Sequence, residues 1–106
     1  MKETLISFCI VNLNAKSHLV SCLKSISMFT KCGSFEIIVV DNNSNDGSIE
    51  FLRYQYPEVK LIINLRNDGY TKAINKALRL SKGKYKVVLN PDTELMPNAI
   101  DIMIKH

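Results

Sequence analysis

Strand-like and helix-like segments alternate four times along this chain, and that alternation admits few folds. Leu5–Val11 is apolar, with β-branched residues, and reads as a first strand. After it, Leu19, Cys22, Leu23, Ile26 and Phe29 recur at helical spacing and make one apolar stripe. Asn14 or Ser17 is placed to cap that helix, and Gly33 to end it. Phe35–Val40 is a second strand that closes on Asp41. The polar run Asp41–Ser48 is dense in turn and cap formers. It leads into a helix in which Ile49, Leu52 and Tyr56 share a face and Pro57 is the stop. Val59–Ile63 is a third strand, and Arg66–Gly69 a turn. In a third helix Ala73, Ile74, Ala77 and Leu78 form a stripe of mostly small residues, suited to close approach to a sheet. Gly83 ends that region, and Tyr85–Leu89 is a fourth strand. Pro97 suits the first turn of a last helix carrying Ile100, Met103 and Ile104.

Four βα units in series predict a parallel sheet with right-handed crossovers. The expected order is 3-2-1-4, the first half of a doubly wound sheet with helices on both faces. Its cleft would lie between the carboxyl ends of the first and fourth strands. With 106 residues the chain is expected to be one domain, 1–106, around one core.

Composition narrows the partners. No apolar run reaches the ~18 residues of a membrane-spanning helix. Leu5–Val11 is short and contains Ser7, so it fits a strand better than a signal peptide, and a cytoplasmic location is expected. The net charge of +4 is mild, and Lys72, Lys76, Arg79, Lys82, Lys84 and Lys86 read as a solvated face and loop. No aromatic residues interleave with them, which argues against nucleic acid. Cys9, Cys22 and Cys32 form no C-x-x-C pair, and His18 and His106 complete no zinc pattern. Buried thiols in a reducing compartment are expected.

The residues able to do chemistry gather at strand ends. Val87, Val88 and Leu89 are an apolar run of the kind a parallel sheet buries on both faces. Pro91 has no N–H to donate, so the strand stops there and Asp92 and Glu94 emerge at its carboxyl end. Hard oxygen ligands so spaced suit a divalent cation that holds phosphate oxygens. The same Asp92-Thr93-Glu94, ahead of Pro97, equally suits a helix N-terminus. Asp41 reads either as a turn or cap residue or as an acceptor for a ligand's N–H or hydroxyl groups. Asn12 and Asn14, flanking Leu13, are turn formers that would face the same cleft. The glycine cradles are absent: Gly33, Gly47, Gly69 and Gly83 are never two apart, and no P-loop pattern occurs. No nucleophile elbow or cysteine–histidine pattern supports covalent catalysis. A phosphoacceptor receiver would need acidic residues where Asn12, Asn14 and Asn64 stand.

Taken in order, Ile10–Asn14, Val39–Ser48, Asn67–Tyr70 with Ala73 and Asn75, and Leu89–Glu94 resemble the family 2 glycosyltransferases of GT-A fold, across essentially the whole chain. The resemblance implies a Rossmann-like GT-A half-domain that binds a nucleoside-diphosphate sugar, UDP- or dTDP-linked. By that resemblance Val11, Asn12 and Leu13 line the base and ribose pocket; an aromatic residue is common where Leu13 stands. Asp41 matches the acidic residue that contacts the base, and Asn43, Asn67 and Gly69 fall near the nucleotide. Asn90-Pro91-Asp92 matches the D-x-D motif with Asn in the first place. Asp92 and Glu94 are then the metal residues, for Mg²⁺ or Mn²⁺ bridging the diphosphate. The implied reaction is inverting transfer to the hydroxyl of a glycan or lipid-linked glycan, in surface polysaccharide synthesis at the inner face of the membrane.

Family domains run to roughly twice this length, a common size for α/β domains. The chain is therefore expected to stop before the acceptor-binding half and the catalytic base. A strand edge left uncovered would favour a homo-oligomer. The alternative reading is a non-catalytic nucleotide-binding or self-association module of the same fold.

Overall fold

A computed structural model describes residues 4–29 and 34–92 of the chain. Four parallel strands make one sheet: β1 (Ile6–Asn12), β2 (Phe35–Asp41), β3 (Lys60–Ile63) and β4 (Tyr85–Leu89). Their order is β3-β2-β1-β4, as the alternation predicts. Helices α1 (Lys16–Phe29), α2 (Ser48–Gln55) and α3 (Tyr70–Leu80) connect them. The expected last helix, with Pro97, lies outside the described residues, as do Cys32 and Gly33. Among the described residues no helix is long and apolar enough to cross a membrane.

The two faces of the sheet follow from strand alternation. Ile6, Phe8 and Ile10 of β1 and Ile37 and Val39 of β2 point to one side. There they pack with Leu19, Cys22, Leu23 and Ile26 of α1 and Leu52 of α2. Cys9, Val11, Ile38 and Val40 point to the other side, against Ala73, Ile74 and Ala77 of α3. Each fully buried Ile, Leu or Phe contributes about 1.5–3 kcal/mol relative to exposure. Burial also raises the pKa of the Cys9 thiol; Lys86 opposes this and Glu36 adds to it.

β4 departs from the sequence reading. It was expected to be buried on both faces, yet Val88 is 45% exposed while Leu89 is buried. The reason is geometric: α3 packs on β1 and β2, leaving that face of β4 open among the described residues. Lys86 turns this opening to use. Its Nζ donates to the carbonyls of Leu78 and Ser81 and to the Ser81 hydroxyl, so a strand cation caps the carboxyl end of α3.

The amino-terminal edge of the sheet is held by Glu36. Its Oε2 accepts from the Ser7 hydroxyl at 2.5 Å and from Lys82 N–H at 2.6 Å, and its Oε1 pairs with Lys60 at 3.0 Å. Burial opposes its ionisation, but these donors outweigh burial and hold the carboxyl below the usual range. Ser7 in turn accepts from Gly83 N–H at 2.7 Å. A Cβ on Gly83 would sit 2.6 Å from Ser7 N and 2.8 Å from the Ile6 carbonyl carbon. Those are backbone atoms that cannot swing aside. Gly83→Ala is thus expected to destabilise the chain by about 2–3 kcal/mol. A lower urea midpoint at unchanged slope checks it, and an unchanged midpoint would refute the steric account.

Candidate nucleotide-binding cleft

The site begins where β1 and β2 end in register, with Asn12 opposite Asp41. Both are fully buried. Asn12 Nδ2 donates to Asp41 Oδ1 at 2.8 Å, and Ser44 donates to the same oxygen through its hydroxyl at 2.8 Å. Ser44 N–H reaches Asp41 Oδ2 at 2.7 Å. Carboxylate oxygens only accept, so the Asn12 amide must present its nitrogen. That leaves Asn12 Oδ1 buried without a partner among the described residues. Ser44 Oγ also accepts from Asn14 N–H at 2.9 Å and Asn12 Nδ2 at 3.3 Å, which fills its two lone pairs.

The sequence suggested that Asn14 or Ser17 caps α1. The cap comes from the other loop instead. Asp46 Oδ2 accepts Lys16 N–H at 3.0 Å, while its Oδ1 accepts Ser48 N–H at 3.0 Å and the Ser48 hydroxyl. One carboxylate thereby serves the amino termini of both α1 and α2. Asn14 has φ 52° and accepts Asn45 N–H through its side chain, so it stitches loop to loop. For Asp46 the burial penalty is outweighed by the bonds from Ser48 and Lys16, and its carboxyl lies below the usual range.

A second wall is built from amides. Asn42 is 2% exposed; its Oδ1 accepts Asn64 Nδ2 at 2.8 Å and Asp68 N–H at 3.4 Å, and its Nδ2 donates to the Gly69 carbonyl at 3.2 Å. Asn64 Oδ1 accepts Lys76 Nζ at 2.6 Å, so one lysine of the basic stretch is engaged in the fold rather than only solvated. Asn67 Oδ1 accepts Gly69 N–H at 2.9 Å. Gly69 has φ 84° and opens α3, a backbone conformation that side chains rarely adopt.

Between these walls lies an open cleft of about 340 Å³. Val11, Leu13 and Ala15 line it from β1 and the turn after it, Asn42 from the end of β2, Asn67, Gly69 and Tyr70 from the loop into α3, and Pro91 from beyond β4. Of the residues singled out from the sequence, Val11, Leu13, Asn67 and Gly69 line the cleft. Asn12 and Asp41 do not; they lie beneath it, with both Asp41 oxygens already accepting from the chain. Asn43 is exposed with φ 71°, outside the lining. Asn90 and Asp92 are exposed on either side of Pro91, and Glu94 lies outside the described residues. Among the described residues no three His, Cys, Asp or Glu side chains cluster to hold a metal.

Asn42 and Tyr70 were missed as lining residues, although the sequence carried their signal. Asn42 continues the alternation Ile38, Val40 toward the α3 face. Tyr70 precedes Ala73, Ile74 and Ala77 by one and two helical turns, on the same stripe.

A four-stranded parallel sheet of order 3-2-1-4 flanked by helices is a Rossmann-like GT-A arrangement, and the cleft lies at the carboxyl edge of that sheet, where the crossovers change face. The chain belongs to glycosyl transferase family 2, whose description matches residues 7–106. It is 33% identical over 98 residues to a PGL/p-HBAD biosynthesis glycosyltransferase of Mycobacterium tuberculosis, a match covering 90% of this chain and 38% of the relative. S. aureus TarS 1–349 superposes with a TM-score of 0.86 at 19% identity, over 96% of this chain and 32% of that one. The same protein in complex with UDP-GlcNAc gives 0.83 at 19% identity, over 96% and 30%. The mannosyltransferase PcManGT of Pyrobaculum calidifontis, in complex with GDP-Man and Mn²⁺, gives 0.82 at 20% identity, over 99% and 32%. The chain thus spans about a third of the length of these proteins.

Two outcomes follow from the hydrogen bonds. Asp41→Asn must put an amide donor against at least one of the donors now bonded to its oxygens. It is expected to destabilise the chain by roughly 2–4 kcal/mol in urea titration, since it strands buried groups. Asp46→Ala is expected to lower stability by about 1–2 kcal/mol at pH 7 through the lost caps. The native Asp46 pKa is depressed, so this contribution is present above the unfolded value of about 3.9 and is lost as pH falls through the native value. The gap between wild type and Asp46→Ala in urea midpoint should therefore narrow below about pH 4; a gap that widens there would contradict the assignment.

Proposed function

We propose that this chain is the nucleotide-sugar-binding portion of a metal-dependent, inverting glycosyltransferase. The observation that carries the reading is the placement of Pro91 in the lining of the cleft. Asp92 follows Pro91 directly, three residues beyond β4, next to a largely apolar recess of a size to admit a nucleoside. The structural neighbours support it: TarS is in complex with UDP-GlcNAc, and PcManGT with GDP-Man and Mn²⁺.

Asp92 fits a cation-holding role. Its carboxylate is exposed and takes part in no hydrogen bond or ion pair among the described residues. Mg²⁺ is commonly held by one or two carboxylates together with substrate phosphates. On this reading Asp92, with Glu94 from beyond the described residues, would hold Mg²⁺ or Mn²⁺. The cation when bound offsets the charge that grows on the departing nucleoside diphosphate. Val11, Leu13, Asn67 and Gly69 then orient the nucleoside. Asn12 and Asp41 act from beneath by fixing the loop 42–46 that shapes one wall.

An acceptor hydroxyl would attack the anomeric carbon as the diphosphate leaves, with a carboxylate base taking its proton. We assign that base, and the glycan or lipid-linked glycan acceptor, to the two thirds of such proteins that this chain does not span. The proposed setting is surface polysaccharide synthesis at the cytoplasmic face of the membrane.

Calorimetric titration of UDP, dTDP and GDP, with and without Mn²⁺, tests the reading. Binding of at least one of them that requires Mn²⁺, and weakens at least tenfold in Asp92→Ala, is the expected result. Binding indifferent both to Mn²⁺ and to that substitution would remove Asp92 from the metal site.

A further inference from the structure

Tyr70 is out of place for a residue on a buried stripe. It shares the sheet-facing side of α3 with Ala73, Ile74 and Ala77, all buried, yet it is 47% exposed. The cause is position. Tyr70 stands one turn nearer the amino terminus of the helix than Ala73, where the sheet beneath has ended and the cleft begins. Gly69 beside it carries no side chain, and a Cβ built there meets nothing within 4 Å, so the space next to the ring is open. Leu13, from the opposite side of the fold's switch point, lines the same cleft and is 42% exposed.

Among the described residues no charged side chain lines this recess. Its polar members are amides, and these are largely engaged: Asn42 holds the loop 64–69, and Asn67 Oδ1 is bonded to Gly69 N–H. An uncharged recess with an exposed aromatic ring and an aliphatic neighbour fits a flat, neutral heteroaromatic ring. Aromatic side chains take bases by stacking on the π-face, whatever the base. We propose that Tyr70 is the residue on which the nucleobase stacks, with Leu13 as its aliphatic counterpart, so that Tyr70 sets affinity for the nucleoside end of the ligand. The diphosphate then runs away from α3 toward Pro91 and Asp92. The inference rests on the nucleotide-binding reading above and adds to it the residue that grips the base.

The test compares wild type, Tyr70→Phe and Tyr70→Ala, each titrated with UDP and with pyrophosphate in the presence of diamagnetic Mg²⁺. Calorimetry gives the Kd, and proton NMR follows uracil H5 and H6. Stacking predicts an upfield ring-current shift of H5 and H6 in wild type and Tyr70→Phe, with UDP affinities within about twofold of each other. In Tyr70→Ala the shift disappears and UDP binds about tenfold more weakly, within the range measured for base–aromatic stacks. Pyrophosphate, which has no base, binds all three alike. Equal weakening toward UDP and pyrophosphate in Tyr70→Ala would mean that Tyr70 only supports the fold, and would overturn the proposal. So would a Tyr70→Ala variant that keeps both the shift and the affinity, and in that case the nucleotide-binding reading stands. Failure of wild type to bind UDP, dTDP and GDP alike would remove both; if dTDP or GDP binds instead, the same comparison is read on thymine H6 or guanine H8.

Discussion

A carboxylate with no exposed surface and no cation paired to it, among the described residues, governs the upper edge of this molecule. Removing Asp41 from water is tolerable only because Asn12, the Ser44 hydroxyl and the Ser44 N–H all donate to it. Two of these donors come from one loop residue and the third from the neighbouring strand. Satisfying Asp41 therefore fixes where β1 ends and how the chain leaves β2. Once Ser44 is pinned, Asn14 is drawn to it and Asp46 falls within reach of two helix termini. A local electrostatic requirement thus spreads into the shape of the loops around the cleft.

The two ends of the sheet are organised by the same physics toward different purposes. At the amino edge Glu36 gathers Ser7, Lys60 and Lys82, and Gly83 closes over β1 so tightly that no side chain fits. There the Glu36 carboxylate is satisfied within the chain. At the carboxyl edge Asp41, Asn42 and Asn64 are also satisfied, with Asn12 Oδ1 left over among the described residues, but around a recess rather than in place of one. The apolar side chains there, Leu13 and Tyr70, are left partly uncovered. Rigid polar scaffolding beneath an uncovered apolar floor is the arrangement expected of a preformed small-molecule site.

Much of the fold was legible in the sequence, because burial on both faces of a parallel sheet leaves a strong periodic record. The stripe Leu19, Cys22, Leu23, Ile26 predicted the packing of α1, and the strand order followed from connectivity and handedness. The open face of β4 was not legible. Val88 reads as core in any window of sequence, and only the placement of α3 over β1 and β2 leaves it uncovered. The site was legible in part. Chemistry-bearing residues were sought at strand ends, and whether a side chain lies in the cleft found there or under it depends on strand parity and loop path. Val11 came out in the lining and Asn12 beside it did not, because neighbours on a strand point to opposite faces; Leu13 reaches the lining from the turn after β1.

By itself the sequence determined the order and class of the elements and the family. Those properties are encoded in local periodicity and in short motifs, which need no knowledge of distant partners. Tertiary structure decided the roles. Asp46 caps helices on both sides because two loops far apart in sequence meet at it, and Asp41 is a buried tether because its donors arrive from β1 and the loop after β2. Tyr70 faces a cleft because the sheet ends one turn too early to cover it. Hydrogen bonds and burial depend on what arrives from elsewhere in the chain, so they are settled only when the chain has closed on itself.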